Sequence, residues 1–364
     1  MNDSPSYPAE LGVSMALPDP LRGSGRLFLW PKSGGQALRR LAEEAERRFD
    51  VYDADGCLAI EVNEDNIVGF LGRLRKGLSE EDLEETRALF KPGLDEPSLS
   101  DFPRADSLRT FITFARGKWL GELMSEKRIA VFFQPIVHAG SHEVLGHEAL
   151  ARARSKAGVV GPLRMLSAAR DASLLPTFDY AVHEVAFQER ANARAEGKLF
   201  LNTTPTTASE PDLVLEHVRR LCRLYGTRPA DVILEITESE KMSQPDQVER
   251  FVTRARDDGF SVALDDLGAG FSNLNMIHRL RPDIVKLDME LTRNIHDDEY
   301  KAVIAQKIVE LAKTVGIRTV AEGVETEDER DWLEAQGIDY LQGFLFGRPE
   351  DLPRDTLDLA STDG

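Results

Sequence analysis

Carboxylates, one amide and one lysine recur at the ends of short apolar runs. Glu148 falls near the end of Glu143–Leu150, Asn202 closes Leu199–Asn202, and Glu235 and Glu238 mark the end of Val232–Thr237. Asp265 and Asp266 finish Ser261–Asp266, Lys286 and Asp288 finish Asp283–Asp288, and Glu322 lies in Arg318–Gly323. Oxygen ligands without a cysteine or histidine cluster suit hard cations such as Mg²⁺, Mn²⁺ or Ca²⁺. Two such ions about 3.5–4 Å apart can generate hydroxide from water and stabilise both oxygens of a phosphodiester undergoing cleavage. Any one strand-end acid can equally be a helix cap or a solvated loop residue. The recurrence across successive runs is what carries the chemical reading. Gly268 and Gly270 would be weak evidence for a phosphate loop alone, and they gain weight by following a double aspartate.

Those residues need a frame that brings the run ends together. Two further runs, Ala130–Val137 and Tyr340–Phe346, bring the total to eight. Only His138–His142 joins the first two, too short for a parallel crossover, so they should form an antiparallel hairpin. Every later gap can hold a helix, as alternating βα units require. The pattern predicts a (β/α)8 TIM-like barrel with an antiparallel first strand, in the α/β class. In such a barrel the strand ends converge on one face.

The first part of the chain has a different grammar. Residues 1–25 are rich in Pro, Ser and Gly and predict a disordered lead. Residues 26–106 predict a small α/β domain of sensory or regulatory kind, with a structural cap or dimer support as the plainer alternative. Its expected strands are Arg26–Trp30, Phe49–Tyr52 and Leu58–Val62, with a turn over Asp53–Gly56. Its expected helices are Gln36–Arg48, Asn63–Leu78 and Ser79–Phe90, the last capped by Ser79 with Asp82. Lys91–Arg104, with three prolines, predicts a linker. A connecting helix over 107–127 then leads into a barrel expected at 122–352, followed by a tail at 353–364.

Bulk properties mainly exclude. The 364-residue chain is long enough for two domains and carries a net charge of −18. A surface this acidic argues against a nucleic-acid polymer or an anionic membrane as partner. No apolar run approaches the roughly 18 residues needed to span a bilayer, so no membrane insertion is expected. Cys57 and Cys222 are read as reduced thiols, and the expected location is the cytoplasm.

At the acidic runs the sequence resembles the EAL family of cyclic-di-GMP phosphodiesterases. Gln134-Pro-Ile136, Glu148-Ala-Leu150, Asn202-Thr-Thr-Pro205 and Glu235-Ile-Thr-Glu238 follow the family's motifs in order. So do Asp265-Asp-Leu-Gly-Ala-Gly270, Lys286-Leu-Asp288, Ala321-Glu-Gly-Val-Glu325 and Gln342-Gly343. The resemblance implies hydrolysis of cyclic-di-GMP to linear pGpG with two Mg²⁺ or Mn²⁺ ions, Ca²⁺ inhibiting. It implies one metal held by Glu148, Asn202, Glu235 and Asp265. Asp265 would bridge to a second metal held by Asp266 and Glu322, with Asp288 nearby. Lys286 would orient or deprotonate the bridging water, and Glu238 would anchor the glycine loop. Arg152 would meet a phosphate. Gln134, Leu150 and Gln342 would line the substrate groove, and Glu325 would hold the site's geometry. The resemblance also implies a homodimer formed through the barrel.

The sequence departs from the family's pattern at Leu267 and Ala269 of the glycine loop, at Ala153, and at Arg170 and Ser173. None of these is an expected metal ligand. The rival reading is a catalytically inactive barrel that serves as a cyclic-di-GMP receptor.

Overall fold

Cys57-Leu-Ala-Ile-Glu-Val62 alternates half-buried and buried positions, the period-two pattern of a strand with one face on a core. The computed structural model describes residues 24–32, 51–54, 57–99, 101, 105–155, 158–237, 245–267 and 273–353. The expected lead up to residue 23, the helix Gln36–Arg48 and the tail beyond residue 353 lie outside that set. The described residues form two compact units. One runs to Glu126 and includes Arg164–Leu174; the other comprises Lys127–Leu163 and the chain from Leu175 onward.

In the first unit, β1 (Gly25–Trp30), β2 (Val51–Ala54), β3 (Cys57–Val62), β4 (Arg87–Pro92) and β5 (Asp106–Ser107) form an antiparallel sheet in the order β2-β3-β1-β4-β5. Helices α1 (Glu64–Gly77), α2 (Glu80–Glu85) and α3 (Leu108–Ser125) accompany it. Leu27, Leu29 and Ile60 of the sheet share a core with Phe70, Leu71 and Leu74 of α1 and with Leu108 and Ile112 of α3. Fully burying one such side chain contributes about 1.5–3 kcal/mol.

The capping box expected at Ser79 and Asp82 is present, but the helix expected over Ser79–Phe90 stops at Glu85. Thr86 is extended and the chain continues as β4. The reason is tertiary: residues 87–92 pair along the whole of β1, and Ala88 and Leu89 become buried. That pairing outweighs local helix preference. It also takes Lys91 and Pro92 out of the expected linker.

In the second unit every expected run becomes a strand. These are β6 (Ile129–His138), β7 (Val144–Ser155), β9 (Lys198–Thr203), β10 (Val232–Thr237), β11 (Ser261–Leu267), β12 (Ile284–Leu287), β13 (Arg318–Ala321) and β14 (Tyr340–Gln342). β6 pairs antiparallel with both β7 and β14 and closes the barrel. The remaining neighbours are parallel. A short β8 (Gly158–Val160) extends β7 antiparallel.

Helix α4 (Pro162–Asp171) follows. Its residues from Arg164 group with the first unit, where Asp171 pairs with Arg75 at 3.3 Å. Between the later strands lie α5 (Leu175–Ala193), α6 (Pro205–Ala208), α7 (Pro211–Tyr225), α8 (Pro245–Asp257), α9 (Asn273–Leu280), α10 (Met289–Thr292), α11 (Glu299–Val315) and α12 (Glu327–Gln336). No described helix is long and apolar enough to cross a membrane.

The barrel interior is layered. Ile136, Phe200, Ile233, Ala263, Ile284, Val320 and Tyr340, one from each of seven strands, pack into a single apolar layer, while on β7 Gly146 lies opposite Ile136 and Glu148 opposite Gln134. Because side chains on a strand repeat every two residues, the next inward position lies two residues onward. On six strands that position is Asn202, Glu235, Asp265, Lys286, Glu322 or Gln342. On the antiparallel β6 it lies two residues back, at Gln134. The apolar layer therefore acts as a floor, and the expected site residues stand one layer above it.

Candidate active site

Lys286 stands at the centre of the polar layer with no exposed surface. Its Nζ lies 3.2 Å from Glu148 Oε2, 3.0 Å from Glu235 Oε1, 3.4 Å from Asp265 Oδ1 and 2.6 Å from Glu322 Oε1. Glu148 is held from three sides. Asn202 Nδ2 donates to its Oε1 at 2.7 Å, and Lys286 and Gln342 Nε2 donate to its Oε2 at 3.2 and 2.8 Å. Gln342 also donates to Gln134 Oε1 at 3.2 Å, and Gln134 Nε2 donates to the Gly347 carbonyl.

Asp265 and Asp266 are neighbours in sequence, so a regular strand would turn them to opposite faces. Here the pairing of β11 with β12 shifts register between Leu264 and Leu267, and Asp266 takes a left-handed backbone with φ 62°. Asp tolerates this conformation better than most residues, and a bulge re-aims side chains. As a result Asp265, Asp266 and Glu322 bring one oxygen each within 4.8 Å of one another. A second close approach fixes the neighbouring strand ends. At Gly343 an added Cβ would sit 2.0 Å from the Val324 carbonyl oxygen, so only glycine lets β14 end against the segment after Glu322.

The charges do not balance. Four carboxylates surround one ammonium, and Asp266 stands beside them. Burial opposes the charge on Lys286, but Asp265, Glu148, Glu235 and Glu322 hold it protonated, well above the usual lysine range. Burial likewise opposes ionisation of Glu148, yet Lys286, Gln342 and Asn202 keep its carboxyl below the ordinary value. Burial drives Glu235 and Glu322 well above the ordinary carboxyl range against the pull of Lys286. Asp265 is raised for the same reason, and burial with Asp265 and Asp288 pushes Asp266 up to about 6. Glu235 Oε2, fully buried, has no hydrogen-bond partner among the described residues. An all-oxygen donor set with surplus negative charge and an orphaned carboxylate oxygen fits divalent cations.

Of the expected site residues, the geometry gathers Gln134, Glu148, Asn202, Glu235, Asp265, Asp266, Lys286, Glu322 and Gln342. Others take their hydrogen bonds and packing contacts elsewhere, although Asp288 is close enough to act on Asp266 and Arg152 to feel Glu148. Arg152 donates to the Ala151 carbonyl and lies over the Phe132 ring at 5.6 Å; Leu150 is half-buried opposite Phe132 on β6. Asp288 caps α10 by accepting from the Glu290 amide at 2.7 Å, and Glu325 pairs with Arg293. Glu238, Gly268, Ala269 and Gly270 lie outside the described residues.

Sequence reading missed Asp179 and His183 of α5, both buried against the chain that carries Asn202. Their signal was two polar residues four apart on a helix face shared with Phe178 and Val182.

A family profile described as the EAL domain matches residues 118–349. The chain is 32% identical over 208 residues to the probable cyclic di-GMP phosphodiesterase PdeA of Escherichia coli K12, covering 56% of this chain and 28% of that protein. It resembles the PaMucR phosphodiesterase in its c-di-GMP complex with a TM-score of 0.58 and 28% identity, covering 64% of this chain and 95% of that one. A standalone versatile EAL protein from Vibrio cholerae O395, in its c-di-GMP-bound form, matches with a TM-score of 0.56 and 30% identity, covering 62% and 94%. The chain spans less than a third of the length of the first curated relatives it matches.

Proposed function

The chain belongs to the EAL domain family, and from that premise we propose that it hydrolyses cyclic di-GMP to linear pGpG as a metal-dependent phosphodiesterase. The observation that carries this reading is the buried Lys286 ammonium within 3.4 Å of four carboxylates, beside the Asp265–Asp266–Glu322 group. Glu148, Asn202, Glu235 and Asp265 would hold one Mg²⁺ or Mn²⁺, and Asp265, Asp266 and Glu322 a second, with Asp288 nearby. When bound, the two ions lower the pKa of water and stabilise the attacking and leaving oxygens of the phosphodiester.

The chain's own groups do the rest. Lys286 Nζ, held as an ammonium by the surrounding carboxylates, donates to the nucleophilic water and orients it. Gln342 and Asn202 fix the rotamer of Glu148, so that its oxygens are aimed before substrate arrives. Arg152 meets a substrate phosphate, and Gln134, Leu150 and Gln342 line the groove. Glu325, paired with Arg293, braces the chain after Glu322, and Glu238 anchors the glycine loop. The active protein is a homodimer formed through the barrel.

Incubating the purified protein with cyclic di-GMP and Mg²⁺ or Mn²⁺ should yield pGpG, and Ca²⁺ should bind without supporting turnover. Binding of cyclic di-GMP with no pGpG under either activating ion would overturn the enzyme reading in favour of a receptor.

A further inference from the structure

Helix α5 carries two buried polar side chains one turn apart that the proposed reaction does not use, Asp179 and His183. His183 Nε2 lies 2.8 Å from the Asn202 carbonyl oxygen. A carbonyl only accepts, so this nitrogen carries the proton and donates. Asp179 Oδ2 accepts from the Thr204 amide at 2.9 Å, from Thr204 Oγ1 at 2.8 Å and from Thr207 Oγ1 at 2.6 Å. The backbone is thus gripped at residues 202 and 204, on either side of Thr203, while the Asn202 side chain reaches inward to Glu148. The His183 ring is itself backed by His217 of α7, 6.0 Å away between centroids, which stacks on Tyr180 at 4.5 Å. Burying an imidazole is costly, more so because His183 Nδ1 has no hydrogen-bond partner among the described residues. An apolar side chain would avoid that cost, and the bond to Asn202 is what offsets it.

We propose that Asp179 and His183 are positioning residues that set the Asn202 amide, and through it the affinity of the metal position shared with Glu148, Glu235 and Asp265. The inference rests on the metal-dependent reading above. Groups that orient metal-binding side chains from behind change metal affinity by about 10–100-fold when removed.

The test uses the full chain without substrate. Calorimetry measures Mn²⁺ binding, and thermal unfolding in EDTA measures the stability of the metal-free fold. His183→Phe keeps a planar ring but loses the donor, whereas His183→Gln can return an amide N–H near the imidazole Nε2. His183→Phe is expected to bind Mn²⁺ about tenfold or more weakly, with His183→Gln recovering most of the loss. Should His183→Phe fail to fold, Asp179→Asn, which keeps one acceptor oxygen, should show the same direction with a smaller change. Wild-type Mn²⁺ affinity in a folded His183→Phe or Asp179→Asn protein, whatever its EDTA stability, would overturn this inference and leave the metal reading standing. Absence of Mn²⁺ binding by the wild-type protein would overturn both.

Discussion

Removing one carboxylate from the cluster changes both ligation and charge around Lys286, and Asp265 is the sharpest case because both proposed ion positions share it. Asp265→Asn should abolish turnover while leaving the fold intact, since one neutral oxygen cannot serve two cations. Comparing pGpG formation with circular dichroism checks this, and wild-type rates would sink the bridging role. Asp266 supplies a pH signature. Its carboxyl is pushed up to about 6 in the metal-free fold by burial and then by Asp265 and Asp288, against an ordinary value near 3.9. A carboxyl with a raised folded pKa stabilises the fold while protonated, and that stability is lost as pH rises through the folded value. In EDTA, the wild-type unfolding midpoint should therefore fall more steeply between about pH 4 and 7 than that of Asp266→Asn. Parallel pH courses for the two proteins would contradict the assignment.

At the scale of elements, the site depends on how closely strand ends approach. Gly343 lets β14 end against Val324, and an added Cβ would meet main-chain atoms, which cannot swing aside. Gly343→Ala should lower stability by roughly 1–3 kcal/mol or more. It should also cut turnover, because Glu322 and Gln342 sit at the two strand ends involved. Urea unfolding and pGpG assays on the same preparation measure both, and unchanged values in both would contradict the packing argument. The β11 bulge works the other way, allowing two sequential aspartates to serve one cluster.

At the scale of the whole molecule, α11 leaves Tyr300, Val303, Ile304, Leu311 and Val315 exposed, Tyr300 at 85%. An exposed apolar stripe on one helix marks an interaction surface, and we assign it to the proposed homodimer. Ile304→Asp should shift the protein to monomer in sedimentation without lowering its unfolding temperature; an unchanged dimer would place the interface elsewhere. The first unit holds α4 residues that follow β7 and β8 in the chain, with Arg75 paired to Asp171. Deleting residues 1–116 removes Arg75 and most of that unit's core, so turnover per barrel should change. Equal turnover and equal oligomeric state with and without those residues would leave no regulatory role for the front region under the conditions tested.

Eight barrel strands, their antiparallel start and the acids, amide and lysine at the strand ends were legible in the apolar runs, for a physical reason, while Gln134 and Gln342 came only with the family resemblance. An inward-facing strand position repeats every two residues, so an acid two places after a core residue must stand one layer above the floor. The capping box at Ser79 was legible because it is local, spanning four residues. What the linear pattern did not hold was anything settled by a distant partner. β4 exists because β1 pairs with it, and α4 groups with the first unit although it follows the second barrel strand. Asp179 and His183 matter through Asn202 and Thr204, some twenty residues away in sequence and adjacent only once α5 packs on β9. The protonation of the cluster also waited on the fold. Burial raises Glu235 and Glu322 more than any neighbouring charge does, and burial belongs to the packed barrel rather than to any residue type.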